Sequence, residues 1–209
     1  MKIQFPKRGF ERHEYVSRVK KAQKTLSVLN DYLKETLDLI LLDIGSSSGI
    51  MTMEYAKQFK KVIGIDIDKR AIEFANKNNK TNNIEYLESP IEDSGLKDET
   101  IDVITCSHIY EHVPSDLVLV DEIYRLLKPG GICYLAAGNK YNIVEAHYKL
   151  PFLSYFPKKV ADAYIRLFTD EKDYLYYNNP MIKVMQDRRI FILIKVNVVM
   201  VHILIALNA

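Results

Sequence analysis

The chain has 209 residues, of which 48% are hydrophobic, and this is enough for one domain with a sizeable core. Its 29 basic and 27 acidic residues leave a net charge of +2, which argues against the basic face of a nucleic-acid-binding domain. From the polar N-terminus we expect no secretory signal, and Cys106 and Cys133 lie in apolar runs as core residues do. We therefore expect a cytoplasmic protein without a disulfide or a metal site, since no Cys and His spacing suits a metal.

The first predicted element is a helix over residues 10–35. Apolar side chains recur there at alternating steps of four and three residues, which places them on one helix face. They are Tyr15, Val19, Ala22, Leu26, Leu29 and Leu33. We expect this face to pack on the domain, so that residues 1–37 form an N-terminal helical segment. A coiled-coil partner is the alternative, but the stripe is shorter than the roughly three or four heptads that would indicate one.

From residue 38 onward, apolar strands alternate with helices. Strands are predicted at 39–44, 61–66, 84–87, 101–107 and 132–137, and helices at 49–59, 69–78 and 114–127. Nearly continuous apolar strands in this alternation are typical of a parallel sheet with both faces covered. We therefore predict an α/β fold with a doubly wound, mostly parallel sheet. Its ligand should bind at the carboxyl ends of the strands, where the strand order reverses.

The turn after the first strand is rich in glycine and serine, in the stretch LLDIGSSSGIMT over residues 41–52. Gly45 permits a sharp turn, and Gly49 permits close approach of the following helix or of a ligand. A dinucleotide fingerprint would need glycine in place of Ser47 and Ile50, and a P-loop would need a Gly-Lys-Ser/Thr ending. By itself, the turn indicates either a nucleotide-like ligand or an ordinary strand-to-helix connection.

Polar residues follow other predicted strands too. Asp66 lies 21 residues after Gly45, at the spacing of an acid that accepts hydrogen bonds from ribose hydroxyls, and Asp68 is the weaker competitor. Residues 107–113, SHIYEHV, place two histidines, a tyrosine and a glutamate after the fourth strand. Such a density of titratable groups at one strand end indicates a functional site.

Four motifs in order resemble the class I S-adenosylmethionine-dependent methyltransferases, in particular the small-molecule group that includes quinone-biosynthesis enzymes. The motifs are LLDIGSSSGIMT, VIGIDIDKRAIEFA, ETIDVITCSHIYEHV and EIYRLLKPGGICYL. The resemblance covers residues 38–137 closely, and continues more loosely over 139–168 as an insert after the fifth strand. It implies a Rossmann-like methyltransferase fold that transfers a methyl group from S-adenosylmethionine to a small-molecule acceptor.

The resemblance also implies a cofactor-binding core over residues 38–138. Its loop would wrap the methionine half with Asp43 near the amino group, Asp66 would hold the ribose hydroxyls, and Ser107 would offer its backbone. The residues expected to bind the cofactor are Asp43, Gly45, Ser46, Ser47, Gly49, Asp66, Ile67, Ile91, Glu92 and Ser107.

The chain departs from the family pattern at two positions. Ser47 replaces the usual glycine where the backbone lies closest to the cofactor, and Pro90 replaces the usual adenine-contacting aspartate. Adenine recognition would then rest on backbone groups, or on Glu92 or Ser89.

The sequence also offers candidates for a general base and for residues that contact the acceptor. His112 is the first candidate for a general base and His108 the second, because histidine titrates near working pH. A structural role for His112 at the start of the next helix is the alternative. The predicted acceptor-contacting residues are Tyr110, Asn139, Tyr141, Glu145 and His147. Residues 139–180 are expected to be a helical insert that either covers the acceptor or packs on the sheet.

Residues 181–209 do not match the ending that the resemblance implies. The apolar run from residue 190 to 207 lacks Gly and Pro, and Lys195, Asn197 and His202 interrupt it. Three interpretations remain, in descending order of preference. They are strands six and seven, favoured by the many Ile and Val residues, an aberrant or exposed tail, and membrane attachment.

Competing functions follow from the same residues. A cofactor-binding or regulatory protein of this fold without methyl transfer is the main alternative, motivated by Ser47 and Pro90. A dehydrogenase fails the glycine pattern. A nucleic-acid methyltransferase lacks both the charge and an Asn/Asp-Pro-Pro-aromatic motif after the fourth strand.

Overall fold

The computed structural model describes residues 12–107, 116–136, 144, 148–171, 192–195 and 200–203. The helices are α1 (Arg12–Asn30), α2 (Ile50–Tyr55), α3 (Lys69–Asn78), α4 (Asp116–Leu126) and α5 (Lys158–Phe168). The strands are β1 (Ile40–Ile44), β2 (Lys61–Asp66), β3 (Ile84–Glu88), β4 (Ile101–Ser107), β5 (Leu127–Ala136), β6 (Ile192–Lys195) and β7 (Met200–Ile203).

The strands form one sheet in the order β3-β2-β1-β4-β5-β6-β7. Every pair from β3 to β6 is parallel, and β7 is antiparallel to β6. The prediction of a doubly wound, mostly parallel α/β sheet is therefore confirmed. The order reverses at β1, which lies between β2 and β4, so a ligand is expected at the carboxyl ends of these strands.

Successive strand residues point to opposite sides of the sheet, so the apolar strands present apolar side chains on both faces. Helices pack on both faces and bury these side chains. Leu41 lies in the core cluster that includes Leu26 and Leu29 of α1, whereas Leu42 lies in the cluster that includes Leu119 of α4. The apolar stripe of α1 is thus buried on the domain as predicted. Cys106 and Cys133 are free and buried, as expected of core residues.

Three predicted boundaries are wrong by four residues or more. Helix α2 ends at Tyr55, four residues before the predicted end at 59. Helix α1 ends at Asn30, five residues before the predicted end at 35, because the chain turns there through bonds such as Tyr32 N–H to the Leu29 carbonyl at 3.0 Å. Strand β5 begins at Leu127 and not after Gly131. Leu127 already pairs with Ile101, and an irregular register follows before the regular ladder resumes at Ile132.

The segment at residues 148–171 has a small core of its own. Leu153, Ala161 and Ile165 are buried together, while Phe152 and Phe168 remain 54% and 61% exposed. Whether this segment covers an acceptor, and whether 1–37, 38–138, 139–180 and 181–209 are the natural divisions of the chain, stay predictions. None of the helices in the described ranges is long and apolar enough to cross a bilayer.

Candidate cofactor site

A row of aligned residues crosses the sheet beneath the turn after β1. The register places Tyr86, Gly64, Asp43, Thr105 and Tyr134 side by side on β3, β2, β1, β4 and β5. Residues in register project to the same face of a sheet. A carboxyl, a threonine hydroxyl and two phenols therefore share a face that is otherwise an apolar core.

Asp43 is the centre of this row and is almost fully buried. Its Oδ2 accepts a hydrogen bond of 2.6 Å from the Thr52 hydroxyl, and its Oδ1 accepts one of 2.9 Å from the Thr105 hydroxyl. Both threonines are buried as well. One carboxyl group thus ties β1 to α2 and to β4 directly below the turn.

Burial raises the pKa of Asp43 from 3.8 to about 6, because removal from water disfavours the charged form. The hydrogen bonds from Thr52 and Thr105 oppose this shift, since they stabilise the carboxylate. The negative charge of Asp66 raises the pKa further, and the positive charge of Arg18 on α1 lowers it. A titratable group shifted in this way by burial, at a strand end, is typical of a functional site.

Asp43 should make the stability of the protein depend on pH. A pKa raised on folding contributes stability that is complete below about pH 4 and is lost as the pH rises through about 6. The unfolding free energy of the wild type, relative to that of Asp43→Asn, should therefore fall by about 2–3 kcal/mol between pH 4 and 7. Urea denaturation of both proteins across this range measures the difference, and a constant difference would contradict the assignment.

The turn itself is held by backbone bonds to β2. The amides of Gly45 and Ser46 both donate to the Ile65 carbonyl, at 2.8 and 3.0 Å, and Gly49 N–H donates to the Ser46 carbonyl at 2.9 Å. Gly45 has a φ of 71° and Ser47 a φ of 48°. The left-handed conformation for which glycine is favoured is thus retained at position 47 although serine occupies it.

Asp66 clamps this turn from the end of β2. Its Oδ2 accepts a hydrogen bond of 2.8 Å from Ser47 N–H, and its Oδ1 accepts one of 2.9 Å from Asp68 N–H. A carboxylate has about four acceptor positions, so each oxygen retains capacity for a further donor. Asp68, the weaker candidate for the ribose, instead caps α3, where its Oδ1 accepts from the amides of Arg70 and Ala71.

Ser47→Gly should stabilise the protein by about 0.5–1 kcal/mol. A left-handed residue other than glycine costs roughly 1–2 kcal/mol, and the greater unfolded-state freedom of glycine returns part of this gain. The bond to Asp66 uses the backbone amide and is kept. Glu99→Gly is the matched control, because Glu99 has a similar φ of 53° away from the turn. Urea denaturation of the wild type and the two variants measures the unfolding free energies. If Ser47→Gly lowered the unfolding free energy while Glu99→Gly did not, the backbone of Ser47 would not be strained.

Gly49 is required by packing against β3. It has a φ of 74°, and a Cβ at this position would lie 2.7 Å from Tyr86 Cζ and nearer still to its hydroxyl oxygen. The Tyr86 hydroxyl donates to the Gly49 carbonyl at 3.3 Å. The close contacts at Gly49 are thus with Tyr86 of β3 and Ala75 of α3, whereas the sequence analysis expected the following helix or a ligand.

Two serine hydroxyls of the turn are orphaned. Among the residues that the structure describes, Ser46 Oγ and Ser48 Oγ are buried and have no hydrogen-bond partner. Buried polar atoms usually find a partner, so such atoms in a turn at a strand end mark a place where a polar ligand or water would bind.

The remaining predicted cofactor residues differ in exposure. Ile67, which follows β2, is 74% exposed, and Ser107 is half-buried at the end of β4. The side chain of Ile91 is buried in the core, so only its backbone could contact a ligand, while that of Glu92 is exposed. Ser89 Oγ donates to the Pro90 carbonyl at 2.8 Å.

Several predicted residues lie outside the described ranges. They are the candidate bases His108 and His112 and the candidate acceptor residues Tyr110, Asn139, Tyr141, Glu145 and His147. Their roles stay predictions.

Three residues that act on Asp43 were not predicted from the sequence, namely Thr52, Thr105 and Arg18. Thr105 lies in an apolar run and could be recognised only by aligning β4 with β1. Thr52 could have been suspected from its place one helical turn after Gly49. Arg18 lies on the partly buried face of α1 and pairs with Glu14 at 3.0 Å.

The strand order, the turn after β1 and the acid at the end of β2 are typical of the doubly wound α/β fold class. The structure of an S-adenosylmethionine-dependent methyltransferase from Aquifex aeolicus shares this fold. It aligns with a TM-score of 0.52 and 20% identity over 71% of this chain and 86% of that one.

The comparison with protein families is more specific. Residues 42–135 match the methyltransferase domain family, and the resemblance inferred from the motifs is confirmed over this part of the chain. The ubiquinone biosynthesis O-methyltransferase of Psychrobacter cryohalolentis is 33% identical over 124 residues, 54% of this chain and 48% of that protein. The protein of the same name from Actinobacillus pleuropneumoniae is 31% identical over 132 residues, 56% of each. The matched part is about half the length of these relatives.

Proposed function

We propose that this chain binds S-adenosylmethionine at the turn after β1 and transfers its methyl group to a small-molecule acceptor. The observation that carries the proposal is the pair of carboxyl groups around the turn. Asp66 clamps Ser47 from the side, and Asp43 lies buried below. Both lie within residues 42–135, which match the methyltransferase domain family.

The residues present suit the cofactor. The free acceptor capacity of Asp66 suits the two ribose hydroxyls, which are donors. The charge of Asp43 suits the ammonium group of the amino-acid half, and the orphaned Ser46 hydroxyl offers a polar partner close by. When bound, S-adenosylmethionine supplies a methyl group already activated by its sulfonium. The chain therefore has to position the acceptor, exclude water and remove a proton.

We further propose a hydroxyl group as the methylated position, because the relatives that match are named O-methyltransferases. His112, or else His108, would remove the hydroxyl proton as the acceptor reacts. The aromatic side chains around α5, such as Phe152, Tyr155 and Phe156, would cover a largely apolar acceptor. A cytoplasmic location is part of the same proposal, and it rests on the free thiols of Cys106 and Cys133.

A methyl-transfer assay tests this function. The full chain is incubated with methyl-labelled S-adenosylmethionine and a panel of phenols and catechols, some with apolar tails, and S-adenosylhomocysteine is quantified. We expect acceptor-dependent formation of this product, and its loss in Asp66→Ala. Cofactor binding without turnover on any acceptor would instead support the alternative of a cofactor-binding or regulatory protein.

A further inference from the structure

We propose that Thr52 and Thr105 are positioning residues for the cofactor: their hydroxyls keep Asp43 ionised below the turn, where its charge attracts the ammonium group of S-adenosylmethionine. The inference rests on the proposed function and adds two residues to it. Neither threonine needs to touch the cofactor, since both act through Asp43.

The geometry gives each threonine one task. Thr52 Oγ1 donates to Asp43 Oδ2 at 2.6 Å, and Thr105 Oγ1 donates to Oδ1 at 2.9 Å, so each carboxylate oxygen has its own hydroxyl donor. Both threonines are fully buried. A hydroxyl placed in an apolar core costs free energy unless it is hydrogen-bonded, and a bond to a charged acceptor is the stronger kind. The two hydroxyls therefore favour the ionised form of Asp43.

The other titratable groups around Asp43 do not replace this support. Asp66 on β2 and Arg18 on α1 have opposite charges and act on Asp43 in opposite directions. Tyr55 on α2, Tyr86 on β3 and Cys106 on β4 interact with Asp43, and burial raises the pKa of each, so all three are neutral near pH 7. Hydrogen bonds from the two threonines are the largest influences that oppose burial.

Cofactor affinity should therefore follow the ionised fraction of Asp43. With a pKa of about 6, the group is mostly ionised at pH 7. Loss of one hydroxyl donor should raise the pKa by about one to two units, because a hydrogen bond to a charged group is worth that much. The competent fraction and the apparent affinity at pH 7 would then fall roughly twofold to tenfold, and would recover at higher pH.

The test is calorimetric titration of the full chain with S-adenosylhomocysteine between pH 5.5 and 9. The variants are Thr52→Val and Thr105→Val, which keep the side-chain shape, and Thr52→Ser and Thr105→Ser, which keep the hydroxyl. We expect the midpoint of the pH profile to move up by about one to two units in the Val variants and to return in the Ser variants. In Asp43→Asn, the part of the pH dependence that remains belongs to other groups, histidines included.

A second ligand separates positioning from damage to the fold. 5′-Methylthioadenosine contains the adenosine half without the amino acid, so its affinity should be the same in the wild type and the Val variants. If the Val variants bound both ligands more weakly by the same factor, the positioning role of the threonines would be overturned. An unchanged pH profile in Val variants that bind would overturn it too. Neither result would overturn the proposed function. Failure of the wild type to bind S-adenosylhomocysteine would overturn the proposed function, and this inference with it.

Discussion

Asp66→Ala is expected to weaken the binding of S-adenosylhomocysteine by about 1.5–3 kcal/mol, which is roughly tenfold to 150-fold. The variant loses the charged acceptor proposed for the ribose hydroxyls. It also releases the amides of Ser47 and Asp68, which the carboxylate holds at 2.8 and 2.9 Å in the free protein. The turn would then be less ordered in the free protein. The free-energy cost of ordering it on binding would reduce the affinity further.

Calorimetric titration measures this loss of affinity for S-adenosylhomocysteine. Two further variants separate the effect of the charge of Asp66 from that of its hydrogen bonds and serve as a control. Asp66→Asn keeps one oxygen acceptor but removes the charge, so we expect an intermediate affinity. Glu73→Ala removes an exposed acid from α3 and should bind like the wild type. An Asp66→Ala protein that binds as tightly as the Glu73→Ala control would rule out the ribose role of Asp66.

Gly49→Ala is expected to lower the unfolding free energy by about 2–5 kcal/mol. The left-handed backbone costs roughly 1–2 kcal/mol for alanine, and overpacking a core position adds about 1–3 kcal/mol. The new methyl group would lie 2.7 Å from Tyr86 Cζ and 2.9 Å from the Cβ of Ala75, so β3 or α3 would have to move. Such a displacement would also shift the turn that carries Ser47.

A double-mutant cycle with Tyr86→Leu isolates the steric part of this effect. Leucine removes the ring atoms nearest to position 49, so Gly49→Ala should cost less in the Tyr86→Leu background than in the wild type. Chemical denaturation of the four proteins gives the coupling. If the two changes were strictly additive, the packing of Gly49 against Tyr86 would not be the reason for glycine at this position.

The sequence predicted the parts of the fold that depend on local pattern. β2, β4 and α3 have the bounds expected of them, because an apolar run with a clear end, or a helical period with the Asp68 cap, specifies the element locally. The start of β5 could not be placed in this way. Leu127 belongs to the sheet through its pairing with Ile101, and this contact depends on register between distant segments.

In the candidate site, too, residues recognised from local sequence differ from those that depend on contacts between distant segments. Asp66 was predicted from its distance to Gly45, and Asp43 from the family resemblance. The partners of Asp43 were not, because Thr105 is 62 residues away in sequence and becomes its neighbour only when β1 and β4 align. The left-handed φ of Ser47 was also hidden, since serine does not signal that conformation as glycine does.

The central claim is that the turn between β1 and α2, with Asp43 below it and Asp66 beside it, binds S-adenosylmethionine. Titration calorimetry of the full wild-type chain with S-adenosylhomocysteine near pH 7.5 tests it most directly. The account predicts saturable one-to-one binding, since the described part of the chain has one such turn where the strand order reverses. No detectable heat of binding at high micromolar ligand, from a chain that unfolds cooperatively in the same buffer, would contradict it.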